Sequence, residues 1–182
     1  MEPPKGRSVS PRFSPTTLPA SGAPRFFAAS DGETGFELWA SDGTPEGTAR
    51  VADINPSGSA LEVWRWKPSD PPPRGLLVPG DGVVYFAAYQ GASGCQVWRS
   101  DGTEAGTVRL TVLAGTGCPS RLTPVDGTVF FVHSSSLWRT DGSAPAAVRL
   151  AAYSSPYNRS TSLPVVGNTV FFTVCSGSVR EL

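Results

Sequence analysis

The chain repeats one pattern of residues at fixed offsets, and this repetition constrains the fold more than any other feature. An aromatic pair begins each copy, at Phe26, Tyr85, Phe130 and Phe171. A tryptophan and an aspartate three residues apart follow in the first three copies, at Trp39 and Asp42, Trp98 and Asp101, and Trp138 and Asp141. Because offsets hold within copies while the spacing between them varies, each copy is predicted to be one structural unit joined to the next by a loop.

Each copy has the pattern of four short antiparallel strands. A glycine-containing hairpin turn, such as VDGT at 125–128, precedes an aromatic second strand. The third strand contains the tryptophan, as in ELWAS, and DGTxxGT turns the chain into a fourth strand, as in TARVADI. The 20 glycines and 18 prolines disfavour helices, and no segment has an apolar period of 3.6 residues. The predicted fold class is all-β with almost no helix.

Such four-stranded units leave an apolar face open unless they stack on one another. Tandem units of this kind are typical of a β-propeller. We therefore expect a β-propeller-type stack of four-stranded antiparallel blades, with the aromatic pairs and tryptophans between blades. The stack is expected to be incomplete, with three blades plus part of a fourth, because a ring needs at least about four. The expected boundaries are a disordered Pro/Ser-rich lead-in at 1–13, blades at 14–56, 75–115 and 119–153, an insertion loop at 57–74, and a partial blade at 161–182.

The cassette at 37–59, ELWASDGTPEGTARVADINPSGS, strongly resembles the ELWxxDGT repeat of large bacterial surface or secreted proteins. The segment at 96–110, QVWRSDGTEAGTVRL, matches nearly as well, and SLWRTDGSAPAAVRL at 136–150 is a degenerate copy. The resemblance covers about Leu18 to Leu182. It implies propeller architecture, a non-enzymatic binding or structural module, and an extracellular or cell-envelope location; the first residues lack the apolar core of a signal peptide. It implies no reaction and no cofactor.

The DGTxxGT segments are interpreted as turns. Asp42 and Asp101 are expected to accept hydrogen bonds from amides two residues on, and Gly43 and Gly102 to supply positive φ. Thr44, Thr103, Asp141 and Gly142 are assigned to the same turns, and the repeat tryptophans Trp39, Trp98 and Trp138 are assigned a structural role in packing between blades. A Ca²⁺ site at Asp42, Asp101 or Asp141 is the weaker alternative, because Ca²⁺ takes six or more oxygen ligands and each loop offers one carboxylate.

A second pattern supports the propeller architecture and gives weaker support to an enzymatic alternative. Residues 29–39 fit AxDxxTGxxxW, the tryptophan-docking pattern of quinoprotein-type propellers, at Ala29, Asp31, Thr34, Gly35 and Trp39. The alternative function is a fragment of an enzymatic propeller, a quinoprotein-like dehydrogenase or a hydrolase, whose active residues lie in missing blades. No catalytic residue is assigned within the chain, because the single histidine, His133, has Ala29 and Ala88 as its counterparts.

The segment at 61–75, LEVWRWKPSDPPPRG, is the least repeat-like part of the chain. Its residues Trp64, Arg65 and Trp66 form a candidate recognition loop for a carbohydrate or protein ligand, because indoles and arginine stack on such ligands. The interpretation we favour is that these tryptophans fold back over a blade face or edge. Further blades of the same chain, or self-association, are the other expected partners.

Charge and cysteine content narrow the partners further. Fifteen basic and fifteen acidic residues give a formal net charge of zero, which disfavours nucleic-acid binding. The sequence contains no run of 18 apolar residues, so it predicts no membrane span. Cys95, Cys118 and Cys175 lack the spacing of a metal site and are interpreted as small buried thiols. If one bridge forms, Cys95 with Cys118 is favoured because both would lie in one sheet.

Overall fold

A computed structural model describes residues 24–61, 77–80, 82–115, 117–143, 145–152 and 163–172. Within these ranges the protein is all-β, and a 3-10 turn at Gly91–Ser93 is the only helical segment. The predicted all-β class with almost no helix is therefore confirmed. None of the described helical structure has the length and apolar character needed to cross a membrane. The lead-in at 1–13 and the candidate recognition loop Trp64, Arg65 and Trp66 lie outside the described residues.

The strands form four antiparallel sheets in chain order. Sheet 1 contains β1 (Arg25–Ser30), β2 (Phe36–Ser41) and β3 (Ala49–Arg50). Sheet 2 contains β4 (Leu77–Pro79), β5 (Val84–Tyr89), β6 (Cys95–Ser100) and β7 (Val108–Arg109). Sheet 3 contains β8 (Ser120–Val125), β9 (Thr128–His133), β10 (Ser136–Thr140) and β11 (Val148–Ala152), and sheet 4 contains β12 (Val165–Val166) and β13 (Thr169–Val170). Strands that are neighbours in sequence are neighbours in each sheet, so the described sheets are meanders. The outer strand expected near Leu18 lies outside the described part of the chain.

The fixed sequence offsets become fixed cross-strand registers. The aromatic residue of the second strand pairs with the tryptophan of the third, as Phe27 with Trp39, Phe86 with Trp98, and Phe131 with Trp138. The tryptophan pairs in turn with an arginine of the fourth strand, at Arg50, Arg109 and Arg149. Residues paired across antiparallel strands share a face, so sheets 1, 2 and 3 each present the same aromatic–indole–arginine row.

β3 and β7, which correspond to the predicted fourth strands of the first two copies, are shorter than the sequence predicts. β3 and β7 have two residues each, because the chain leaves the ladder after one further backbone hydrogen bond. Val51 N donates to Leu38 O at 2.9 Å, and Leu110 N donates to Val97 O at 2.8 Å. The described residues that follow form two connecting loops, which we define as connecting loop 1 (51–61) and connecting loop 2 (110–115 and 117–118).

The sheets pack face to face through alternate residues of their strands. Ala28 and Leu38 of sheet 1 share one buried apolar cluster with Phe86 and Trp98 of sheet 2. A second cluster joins Tyr85 and Val97 of sheet 2 to Val129 and Phe131 of sheet 3. Successive strand residues point to opposite faces, so Tyr85 and Phe86 serve two different interfaces. The aromatic pair and the tryptophan of the second copy therefore lie between sheets, as expected from the sequence.

Connecting loop 1 also belongs to the core. Its residues Ala60 and Leu61 are fully buried, and both lie in the cluster between sheets 1 and 2. The sequence places 57–61 in the insertion, whereas in the structure Ala60 and Leu61 of this segment lie in the sheet interface. The Pro-rich remainder of the insertion, at 62–74, lies outside the described ranges.

Sheet 4 is held against sheet 3 but leaves apolar surface open. Leu163 is buried, and its backbone N donates to Thr123 Oγ1 at 3.2 Å. Phe172, however, is 41% exposed, although its counterparts Phe86 and Phe131 are fully buried. Phe171 is 51% exposed as well. The last described copy therefore exposes the second aromatic position, which the earlier copies bury at Phe27, Phe86 and Phe131.

Candidate functional site

The first DGTxxGT segment is a hydrogen-bonded turn between β2 and β3. Asp42 Oδ1 accepts from the Thr44 backbone N at 2.9 Å and from Thr44 Oγ1 at 2.7 Å. Gly47 N donates to Thr44 Oγ1 at 3.0 Å, and Thr48 Oγ1 donates to Thr44 O at 2.6 Å. The Ser41 and Thr48 hydroxyls lie 2.6 Å apart. The side chains of Asp42, Thr44 and Thr48 thus all have partners within the turn or in the adjoining Ser41.

The second turn repeats these bonds, and the third repeats part of them. Asp101 Oδ1 accepts from the Thr103 backbone N at 2.9 Å and from its hydroxyl at 2.7 Å. In the third copy Ser143 replaces threonine, and Asp141 Oδ1 accepts from its N at 3.0 Å and its Oγ at 2.7 Å. These bonds hold the pKa of each aspartate below its usual range. The Thr44 amide is the largest cause for Asp42, and the hydroxyls of Thr103 and Ser143 are the largest causes for Asp101 and Asp141.

Two glycine positions explain why the motif reads DGTxxGT. Gly43, Gly102 and Gly142 have φ of 100°, 97° and 74°, a region that side chains disfavour. At Gly47 an added Cβ would lie 2.1 Å from Asp42 Oδ1, so only glycine allows the carboxylate its place. The third copy has Ala146 at this position, and its turn cannot close in the same way.

The three turn aspartates were also the weaker Ca²⁺ candidates. In the part of the chain that the structure describes, no three His, Cys, Asp or Glu side chains come together in a group that could hold a metal ion. Each of Asp42, Asp101 and Asp141 instead binds an amide and a hydroxyl of its own turn. These bonds give each aspartate a structural role in its own turn.

A buried carboxyl that sequence reasoning missed holds connecting loop 1. Glu37, in β2, is fully buried, and its two oxygens accept hydrogen bonds from the backbone N atoms of Ile54 and Ala60, each at 3.1 Å. Burial raises the pKa of Glu37 to about 7, against the lowering effect of the Ile54 and Ala60 amides. Asp53, in the same loop, raises the pKa further.

Gln96 occupies the same position in the second copy and performs the same task as a neutral amide. Its Oε1 accepts from Leu113 N at 2.8 Å and from Thr111 Oγ1 at 3.0 Å, while its Nε2 donates to Leu113 O at 3.1 Å and Ser93 O at 2.7 Å. Leu113 and Ile54 are equivalent, since each lies twelve residues after its turn aspartate. The only feature of the sequence that could have indicated these buried polar residues is a polar residue directly before Leu-Trp or Val-Trp.

Each connecting loop has a second attachment to the start of its third strand. In the first copy, Phe36 N donates to Ser59 Oγ at 3.0 Å. In the second copy a disulfide joins Cys95 to Cys118, at the two equivalent positions. The interpretation of these two cysteines as free buried thiols is therefore wrong, and the favoured pairing is confirmed. The reason given for it was wrong, because Cys118 lies in connecting loop 2 rather than in the strands of sheet 2. Cys175 lies outside the described residues.

The repeat tryptophans differ in how their indole N–H groups are satisfied. Trp138 Nε1 donates to His133 O at 3.0 Å. The Nε1 atoms of Trp39 and Trp98 are buried without a hydrogen-bond partner. His133 is buried at the end of β9, with Nε2 3.0 Å from Ala114 O of connecting loop 2. The histidine thus joins sheet 3 to the preceding loop.

The residues of the tryptophan-docking pattern form a tight hairpin turn. Asp31 Oδ1 accepts from Thr34 N and Glu33 N, both at 2.9 Å, and these amides, Thr34 first, lower the pKa of Asp31. Arg50 Nη1 donates to Thr34 Oγ1 at 2.7 Å. At Gly35 an added Cβ would lie 2.6 Å from Ser59 N, so glycine allows connecting loop 1 to approach. The pattern thus shapes the β1–β2 turn and its contact with that loop.

Comparison of the chain with protein-family models, with curated proteins and with solved structures finds no match. The resemblance to the ELWxxDGT repeat therefore rests on the sequence motifs themselves.

Proposed function

We propose that this chain is a β-propeller-type repeat segment that acts as a non-enzymatic binding or structural module. The observation that carries this proposal is the repeated interface. Sheet 1 packs on sheet 2, and sheet 2 on sheet 3, with the second-strand aromatic and third-strand core residues at each boundary. Each connecting loop contacts the next sheet as well: Ala60 O accepts from Tyr89 N at 2.8 Å, and Ala114 O contacts His133. Repetition of one interface is how repeat proteins build a continuous core.

We further propose that the exposed aromatic residues Phe171 and Phe172, which directly follow β13, contact another sheet of the same kind, supplied by further blades of the chain or by a second copy. Four large apolar residues of this last described copy are exposed, namely Val165, Val166, Phe171 and Phe172, whereas singly scattered exposed apolar residues are ordinary. In the isolated chain, self-association is the expected consequence.

Size-exclusion chromatography with light scattering tests this surface. We expect the chain to self-associate in a concentration-dependent manner, and Phe172→Asp to return it to monomers. Thr169→Asp is the matched control, because it adds the same charge at an exposed β13 position without removing apolar area. A wild-type chain that stays monomeric up to high concentration, or equal effects of both variants, would contradict the proposal.

We propose an extracellular or cell-envelope location in bacteria. The resemblance of residues 37–59 supports it, and the disulfide between Cys95 and Cys118 agrees with an oxidising compartment. For ligand binding, a glycan array with the wild type and a Trp64→Ala/Trp66→Ala variant is the direct test. Binding that is lost in this variant and retained in Val166→Ala supports carbohydrate recognition by the loop, and binding unaffected by the double variant contradicts it.

A further inference from the structure

The sequence contains six Asp-Gly dipeptides, and this dipeptide allows a chemical change of the backbone. Glycine has no side chain to shield its backbone N, so this N can attack the carboxyl carbon of the preceding aspartate and close a five-membered succinimide ring. Five of the dipeptides lie within the described residues, with their aspartates at Asp31, Asp42, Asp101, Asp126 and Asp141; the sixth, with Asp81, lies outside them. The local contacts of each aspartate decide how readily its ring closes.

Four of the five described dipeptides hold both reacting groups in hydrogen bonds. In the first DGTxxGT turn, Asp42 Oδ1 accepts from Thr44 N at 2.9 Å and from Thr44 Oγ1 at 2.7 Å, and Gly43 N donates to Ser41 Oγ at 3.0 Å. Ring closure requires the Asp42 carboxyl carbon to turn towards Gly43 N, which breaks the bonds to Thr44. The same two restraints, a preceding hydroxyl on the glycine N and turn amides and hydroxyls on the carboxylate, occur at Asp31, Asp101 and Asp141.

These bonds also keep the turn carboxyls ionised. The Thr44 amide is the largest cause of the lowered pKa of Asp42, and the Thr103 hydroxyl is the largest cause of the lowered pKa of Asp101. A carboxylate ion is a poorer electrophile than a carboxylic acid, because its negative charge repels the attacking nitrogen. The turn bonds therefore slow ring closure both by position and by charge.

The fifth dipeptide, Asp126-Gly127 in the turn between β8 and β9, lacks both restraints. The residue before it is Val125, whose side chain has no atom that could accept a bond from Gly127 N. Among the described residues, the Asp126 carboxylate accepts one hydrogen bond, from Asn168 Nδ2 at 3.2 Å. Asp126 also has a φ of 49°, a left-handed conformation that side chains disfavour. Asp42 is exposed as Asp126 is, so access of water does not distinguish the two sites and the hydrogen bonds do.

We propose that Asp126 is the site at which the described part of the chain most readily forms isoaspartate, through a succinimide with Gly127. The Gly127 N forms a bond to Cγ of the protonated Asp126 carboxyl, and the carboxyl hydroxyl leaves with the amide proton as water. Water then opens the ring at the main-chain carbonyl of Asp126, and the chain thereafter runs through Cβ and Cγ. The reaction involves no change of oxidation state, takes up the water that it released, and needs no other reactant.

The new linkage changes the tip of the β8–β9 hairpin. It adds one carbon to the main chain between Val125 and Thr128, which pair with each other at the end of the ladder, and it places the free carboxylate on the α-carbon. Asn168 lies in the turn between β12 and β13, and its bond to Asp126 connects sheet 4 to sheet 3. Modification therefore alters both the hairpin turn and a contact between two sheets as the protein ages.

Peptide mapping of the aged protein tests the site. The full chain is incubated folded at mildly acidic pH, and in parallel in concentrated urea, where none of the dipeptides is restrained. Mass spectrometry with electron-transfer fragmentation then measures isoaspartate at each dipeptide. In the folded chain we expect formation at Asp126 to be about tenfold or more faster than at Asp42 and Asp101, because each hydrogen bond to a charged group contributes on the order of a tenfold factor. Comparable rates are expected in urea. Equal folded-state rates at Asp126 and Asp42, or a faster rate at Asp42, would overturn the proposal.

A turn variant tests the cause of the difference. Thr44→Val removes the hydroxyl that binds Asp42 Oδ1 and is expected to raise isoaspartate formation at Asp42 about tenfold. Asp101, still bound by Thr103 in the same molecule, is the internal control and is expected to keep its wild-type rate. Unchanged formation at Asp42, or an equal rise at Asp101, would contradict protection by the turn bonds.

Discussion

Replacement of Trp98 tests the packing between sheets 1 and 2. Trp98 is 6% exposed and lies in the cluster that joins the two sheets. A tryptophan buries roughly 150–250 Å², which corresponds to about 4–6 kcal/mol at about 25 cal/mol per Å². The buried, unpaired Nε1 of Trp98 offsets about 1–3 kcal/mol of this. We therefore expect Trp98→Ala to lower the free energy of unfolding by about 3 kcal/mol.

Two phenylalanine variants separate packing from hydrogen bonding. Trp98→Phe keeps an aromatic ring and removes the unpaired N–H, so its stability is expected to stay within about 1 kcal/mol of the wild type. Trp138→Phe removes the bond from Nε1 to His133 O and is expected to cost about 1 kcal/mol more than Trp98→Phe. Urea unfolding followed by circular dichroism measures all three variants. A loss below about 1 kcal/mol for Trp98→Ala would refute the assignment of Trp98 to a sheet interface.

Three further predictions concern the turn, the bridge and the aspartates. Thr44→Ser keeps the hydroxyl that binds Asp42 and Gly47, and is expected to be near neutral, whereas Thr44→Val is expected to cost about 1–2 kcal/mol in urea unfolding; equal losses would contradict the turn assignment. Cys95→Ser removes a bridge across a separation of 23 residues and is expected to lower the free energy of unfolding by about 2–4 kcal/mol. Chemical reduction of the wild type is expected to lower it by a similar amount. Unchanged stability in both experiments would contradict the bridge. The lowered pKa values of Asp42, Asp101 and Asp141 give stability that is present at neutral pH and lost on acidification below their ordinary titration range. NMR titration of their carboxyl carbons measures these pKa values directly. Titration midpoints at the ordinary value of an aspartate would contradict the prediction.

The sheets could be predicted from the sequence because their determinants are local. Phe86 and Trp98 share a face through alternation, and Asp101 and Gly102 mark the turn that follows. The connecting loops could not be predicted in the same way. Glu37 and Gln96 are polar residues in strands, a pattern that indicates exposure, and only the folded chain brings them to backbone N atoms up to 23 residues away along the chain.

The cysteines illustrate the same limit. The pairing of Cys95 with Cys118 was predicted, but its location was not, because connecting loop 2 has no strand pattern that places Cys118 beside β6. The length of the fourth strand was overestimated for a related reason. In TARVADI the apolar residues Val51 and Ile54 are buried as part of a loop rather than of a strand.

The hydrogen bond from Tyr89 N to Ala60 O, at 2.8 Å, gives the most direct test of the central claim that consecutive sheets stack through their connecting loops. NMR can detect a scalar coupling across this bond between the Tyr89 amide nitrogen and the Ala60 carbonyl carbon. Stacked sheets predict that this coupling is observed together with the couplings inside sheet 2, such as those of the β5–β6 ladder. Observation of the β5–β6 couplings without the Tyr89–Ala60 coupling, and with rapid exchange of the Tyr89 amide, would contradict the stacked arrangement.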